Sequence, residues 1–142
     1  MSYTSAFSQA IVTVVFIGDK VQQKIYEFVP TSAISKSLNL KSPTLVKILN
    51  LLYKAGIIET KEGKLGGVRL KIPPEKVTLL DLFKAIEADK PLFQIHLNLT
   101  ATGNKPDRVK KELQITLSKA EIEMKDYLKS VTIADFIKKL YF

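Results

Sequence analysis

Residues 41–56 read Lys41-Ser42-Pro43-Thr44-Leu45-Val46-Lys47-Ile48-Leu49-Asn50-Leu51-Leu52-Tyr53-Lys54-Ala55-Gly56, and 57–72 read Ile57-Ile58-Glu59-Thr60-Lys61-Glu62-Gly63-Lys64-Leu65-Gly66-Gly67-Val68-Arg69-Leu70-Lys71-Ile72. The first half is a helix marked at both ends. Ser42 is a good N-cap, Pro43 suits the first helical position because its missing N–H has no partner there, and Gly56 suits a left-handed stop. Leu45, Ile48, Leu49 and Leu52 recur at i, i+3, i+4 and i+7 and form one apolar face. Pro43, Lys47, Asn50 and Lys54 lie opposite. The second half reads as two short strands, 57–60 and 68–72, joined by the glycine-rich tip 61–67.

Working outward, Pro30 punctuates the chain and Thr31 is the expected N-cap of a helix over 32–38. Helix, tight turn, helix and then a basic hairpin is the order of a winged helix-turn-helix. Upstream, Phe7, Ala10, Ile11, Val14, Val15 and Ile17 form a helical stripe, so a first helix is expected over 3–17, with a second short stretch through 22–28. Downstream, Pro73-Pro74 closes the hairpin. Thr78-Leu79-Leu80-Asp81 is a capping box opening a helix to about residue 88. Pro106 opens the longest helix, about 107–129, with apolar positions Val109, Leu113, Leu117, Ala120, Met124, Tyr127 and Val131. From Leu113 these are spaced 4, 3, 4, 3, 4, a heptad seam suited to pairing with a second copy. Thr132-x-x-Asp135 caps a short last helix. The fold class expected is mainly α with a small β-hairpin: a winged helix-turn-helix (1–88), a connector (89–104), then a long dimerisation helix and a C-terminal helix (105–142).

The chain has 142 residues and a formal net charge of +8, with one His and no Cys. That length suits one domain, or a small domain with an appendage. Without cysteine there are no disulfides, thiolate zinc sites or cysteine-ligated iron–sulfur clusters, and one histidine excludes a multi-histidine metal site. No cofactor is expected. The longest apolar run, 10–17, is broken by Thr13 and is too short to span a bilayer. No basic segment precedes it, so a cytoplasmic location is expected rather than export.

Residues 31–71 hold eight basic side chains (Lys36, Lys41, Lys47, Lys54, Lys61, Lys64, Arg69, Lys71) against Glu59 and Glu62. A lysine-rich solvated surface would give the same count. So would a polyanion-binding face, where each neutralised phosphate releases counterions. In a helix-turn-helix the start of the second helix faces base edges in the major groove. On that geometry Lys41, Ser42, Thr44 and Lys47 are the groove candidates and Val46 suits a thymine methyl. Asn50 and Lys54 are placed for backbone phosphates. Lys61, Lys64 and Arg69 supply wing cations, and Gly63, Gly66 and Gly67 allow close approach. Each feature alone has a bland explanation; their coincidence in one short segment points to double-stranded DNA.

The run Ile34-x3-Leu38, Ser42-Pro43-Thr44-Leu45-Val46-Lys47-Ile48-Leu49, Leu52-x2-Ala55-Gly56-Ile57-Ile58, Gly63-x2-Gly66-Gly67-Val68-x-Leu70 and Val77-Thr78-Leu79-Leu80-Asp81-Leu82-Phe83-x-Ala85-Ile86-Glu87 resembles the Rrf-two family of bacterial winged-helix regulators. The resemblance is densest at 31–88. It implies a homodimer, with the long helix crossing to its partner, that binds a pseudo-palindromic operator as a repressor. It assigns base reading to Lys41, Pro43, Thr44, Val46 and Lys47. Cluster-holding members carry three cysteines in the stretch equivalent to 89–104, so the absence of cysteine here implies the cluster-free branch. The chain also departs from the family pattern at Glu62, where a wing arginine is frequent, and at Val68, where an aromatic is common. Residues 20–28 look like extra length.

The same residues allow other readings. A winged-helix module could use its basic face on an acidic protein partner. No nucleophile–base pair is evident, and Glu59, Glu62, Glu75 and Asp81 lack metal-like spacing, so no enzyme is expected. His96 titrates in the right range for an effector sensor but reads first as structural. Tyr3, Phe7 and Tyr127 could line a small pocket and read first as core. The effector, small molecule or protein, is not legible.

Overall fold

Ala10, Val14 and Ile17, one face of the first helix, are fully buried, and the other elements pack around that stripe. The computed structural model describes residues 5–88, 91–93, 100 and 103–141. Helix α1 (Ala6–Gln22) is followed by α2 (Thr31–Leu38), α3 (Ser42–Lys54), β1 (Ile58–Lys61), β2 (Gly67–Leu70), α4 (Leu79–Glu87), α5 (Asn104–Lys129) and α6 (Ile133–Lys139). The strands pair antiparallel, Ile58 opposite Leu70 and Lys61 opposite Gly67. Val29, just before α2, adds a bridge to Val68, which brings a third segment to the hairpin.

The capping signals differ in how they act. Thr31 is the first residue of α2 rather than its cap. Extended Pro30 occupies the cap position, and its carbonyl accepts from Ala33 and Ile34 at 3.0 and 3.3 Å. Likewise Lys41 takes the cap position of α3 and Ser42 is already helical, with Pro43 still within the turn whose N–H groups have no intrahelical partner. Gly56 does stop α3, at φ 76°. The stretch 22–28 is not a second helix. α1 runs on through Gln22, and Lys24 at φ 60° then turns the chain out of it.

Both Thr-x-x-Asp boxes form. Thr78 accepts from the Asp81 amide at 3.1 Å and Asp81 accepts from the Thr78 amide at 2.9 Å; Thr132 and Asp135 do the same at 3.2 and 2.9 Å. The two boxes sit side by side. Thr78 and Thr132 form an antiparallel bridge, with Leu79 N–H donating to Val131 O at 2.9 Å and Ile133 N–H to Val77 O at 2.8 Å. Hydrogen bonding with the Thr132 backbone and side chain holds the Asp135 carboxyl below the usual carboxylate range.

α6 turns back onto α1, placing Ile133 and Ile137 in the same core as Leu45, Ile48, Leu52 and Leu82. α5 is different: none of its residues is buried. Phe7 meets Phe83 edge to face, with ring centroids 5.3 Å apart, and so joins α1 to α4.

Near the C-terminus, the Tyr141 hydroxyl donates to Asp19, the buried carboxylate of α1, and the Gln23 amide also reaches both. That bond to Asp19 raises the Tyr141 pKa above its ordinary value. A raised folded-state pKa means the contribution to stability is complete below the ordinary tyrosine pKa and lost as pH rises through the folded value. We expect Tyr141→Phe to lower the thermal midpoint at neutral pH, with the gap to wild type narrowing in alkaline buffer. Calorimetry across that range checks it; a constant gap would exclude this bond as the cause.

Candidate nucleic-acid interface

The turn between α2 and α3 is closed locally. Asn39 adopts a left-handed conformation at φ 52°, and the Ser35 carbonyl accepts from the amides of Asn39 and Leu40. The turn aims the start of α3 outward. Lys41, Ser42, Pro43, Val46, Lys47, Asn50 and Lys54 are exposed and Thr44 is half-buried, while Leu45, Ile48, Leu49 and Leu52 are buried on the other side. No side chain caps α3, so its first amides add a partial positive charge to the lysines. Tyr53, exposed and on the turn after Asn50, belongs to this face. Tyr53 is not among the candidates named above, although Val46, Asn50 and Tyr53 stand at i, i+4 and i+7 in the sequence.

Across from α3 stands the hairpin. A cleft of about 610 Å³ separates them, lined among others by Val46, Asn50, Tyr53, Lys61, Lys64 and Gly66. Gly66 and Gly67 are needed here for the protein's own packing, whereas a Cβ on Gly63 would meet open space. A Cβ on Gly66 would lie 2.2 Å from the Lys61 carbonyl oxygen, and one on Gly67 would lie 2.1 Å from that of Val29. Only glycine lets Val29 and Val68 exchange backbone hydrogen bonds, at 2.7 and 2.9 Å.

Arg69, grouped by sequence with the wing cations, is held elsewhere. Its Nε donates to Glu59 Oε1 at 2.6 Å, Nη1 lies 3.6 Å from Glu27, and the guanidinium stacks 4.2 Å from the Phe28 ring centroid. Lys61 Nζ approaches the same ring at 5.6 Å. The extra length before α2 thus braces the base of the wing, and Arg69 is a strut with two carboxylate partners. The cross-strand register of Glu59 with Arg69 was the available signal. Lys61 and Lys64 remain at the exposed tip.

The heptad residues of α5 divide. Val109, Ala120 and Tyr127 are exposed; Leu113, Leu117 and Met124 are half-buried. Val131 falls past the end of the helix and packs against the core. Ile115 and Ile122, not singled out in the sequence, are exposed about 180° around the helix from Leu113. Glu121 accepts from the Leu92 amide, which ties the connector to α5. Tyr3, His96 and most of 89–104 lie outside the described residues, and with Tyr3 so does the reading of a pocket among Tyr3, Phe7 and Tyr127.

A helix-turn-helix, a wing and one basic face across a shared cleft define a winged-helix DNA-binding protein. The model for Rrf2, described as an iron-dependent transcriptional regulator, matches residues 3–139, and the chain belongs to that family. Its members are transcriptional regulators, not enzymes. YwnA of Bacillus subtilis, named as a candidate helix-turn-helix-type transcriptional regulator, is 25% identical over 108 residues, covering 76% of this chain and 80% of that protein. The structure of CymR, the global cysteine regulator of B. subtilis, superposes with a TM-score of 0.71 at 19% identity, covering 98% of both chains. T. potens IscR gives 0.65 at 16% identity, over 99% of this chain and 88% of that one. At these identities the two structures establish the fold.

The residues present do not fit a family iron–sulfur cluster. The chain has no cysteine, and among the described residues no three His, Asp or Glu are grouped to hold a metal. Nor, among them, is any helix long and apolar enough to cross a membrane.

The Gly67 contact makes a direct prediction. Gly67→Ala should break the Val29–Val68 pairing, lower stability by about 2 kcal/mol and speed amide exchange at Val29 and Val68. Retained protection at both amides would show that the strand accommodates a side chain.

Proposed function

We propose that the protein is a cytoplasmic transcriptional repressor that works as a homodimer, without an iron–sulfur cluster, on a pseudo-palindromic operator. The observation carrying the DNA reading is one cleft with Val46, Asn50 and Tyr53 of α3 on one side and Lys61 and Lys64 of the wing on the other, beside the exposed Lys41, Lys47 and Lys54 of the same helix. Lys41, Ser42, Pro43, Thr44, Val46 and Lys47 are then the base-proximal residues, and Asn50, Lys54, Lys61 and Lys64 meet phosphates. Gly66 and Gly67 shape the wing, and Arg69 fixes its base. Residues 1–88 together with α6 would form the DNA-binding body, with 89–104 as the connector.

Homodimerisation is supported by α5, a helix of 26 residues with none buried. Isolated helices gain little from propensity alone and need a packed face. A second copy laid along Val109, Leu113, Leu117, Ala120, Met124 and Tyr127 supplies that face, and a two-fold dimer imposes two-fold symmetry on its operator.

The test is fluorescence-anisotropy titration with DNA from upstream of the protein's own gene and with a scrambled duplex, at several salt concentrations. Tighter binding to the native fragment that persists at raised salt is the expected result. Absence of binding even at low salt would favour an acidic protein partner for the basic face. Lys47→Ala should weaken specific binding by about 1 kcal/mol and relax one base preference; an unchanged preference would remove α3 as the reader. Tyr127→Glu, at an exposed position, should shift sedimentation towards monomer. A dimer that is unaffected would place the interface on another face.

A further inference from the structure

Leu65 is 80% exposed, more than any other large hydrophobic side chain among the described residues. It is a central residue of the turn in which Gly66 N–H donates to Gly63 O at 3.0 Å, so it sits at the summit of the wing. An aliphatic side chain there gives the fold nothing: it is absent from the core and from the partly buried residues around it. Turn chemistry alone would be met by a polar residue or glycine. We propose that Leu65 is a wedge that enters the minor groove of bound DNA and partly unstacks a base step. This rests on the DNA-binding reading of the cleft above and adds to it how the wing reads sequence.

Three observations carry the inference. The first is the mount. Neither Gly66 nor Gly67 has room for a Cβ, and the Val29–Val68 pair ties β2 to the body. A wedge must resist the push of the base stack, and this tip is backed by close-packed backbone. The second is charge. Exposed Lys61 and Lys64 flank the tip and suit the phosphates on either side of a groove. The third is Glu62 beside them, also exposed. A carboxylate only accepts hydrogen bonds, and the minor-groove floor of A·T pairs presents only acceptors. Polar readout of A·T pairs from that position is therefore closed, while apolar insertion by Leu65 needs no donor.

With the start of α3 in the major groove, the wing across the cleft lies towards the neighbouring minor groove. Insertion of an aliphatic side chain between base pairs kinks DNA towards the major groove. Pyrimidine–purine steps unstack most easily, so they are the steps Leu65 would select without any hydrogen bond to a base.

The experiment uses the full chain and a duplex recovered by selection from a random pool. 2-Aminopurine replaces adenine at each pyrimidine–purine step in turn, and bending is read by gel phasing. Wild type should raise fluorescence at one such step in each half-site and bend the duplex. Leu65→Ala should keep its thermal midpoint, bind about tenfold more weakly, and lose both the fluorescence rise and preference for that step. Lys64→Ala should bind with a flatter salt dependence and keep the rise. Specific binding by wild type with no rise at any step would overturn the wedge and leave the DNA reading intact, as would a rise that survives Leu65→Ala. Failure of wild type to enrich any sequence would remove the DNA reading and the wedge together.

Discussion

The reciprocal backbone pair between Val29 and Val68 is the constraint on which the DNA-facing half of the molecule depends. Both residues are buried, and two hydrogen bonds in a dry setting are hard to replace once broken. The pair fixes β2 against the segment that leads into α2, so hairpin and helix-turn-helix keep one relative position. Gly67 makes that approach sterically possible. Around it, Arg69 gathers Glu59, Glu27 and Phe28, tying the lengthened loop after α1 into the same joint. Exposed ion pairs contribute little individually. Here they orient a stacked guanidinium whose apolar contact with Phe28 adds to the effect.

How much of this could be read from the chain depends on whether the signal was local. The apolar spacing of Leu45, Ile48, Leu49 and Leu52, the stop at Gly56 and both Thr-x-x-Asp boxes are short-range rules, and the structure follows them. Cap positions slipped by one residue at Thr31 and Ser42, because an extended backbone at Pro30 and Lys41 ends the preceding segment without help from a side chain. The strut role of Arg69 was hidden for a different reason. Its partners are separated in sequence, with Glu27 reachable only through the Val29–Val68 bridge. A count of basic residues treats every charge as free, whereas the cross-strand register of Glu59 with Arg69 decides that this one is already paired.

The seam on α5 shows the opposite error. A period of 3.5 continued on paper to Val131, but the helix ends at Lys129 and Val131 turns into the core. Heptad spacing describes a helix only as long as the helix lasts. Ile115 and Ile122 lie off that seam, on the side that a period centred on Leu113 assigns to solvent. Their exposure leaves α5 with apolar groups on more than one side.

The paired boxes at Thr78 and Thr132 also have a mechanical meaning. Two hydrogen bonds weld the segment just past α5 to the start of α4, and α4 packs on both α1 and α3. The long helix is thus a beam with a stiff joint at its foot rather than a tethered rod. In a dimer built along that beam, the tilt of α5 becomes leverage. A small angular change where two beams cross is carried through the joint and alters the span between the two copies of α3.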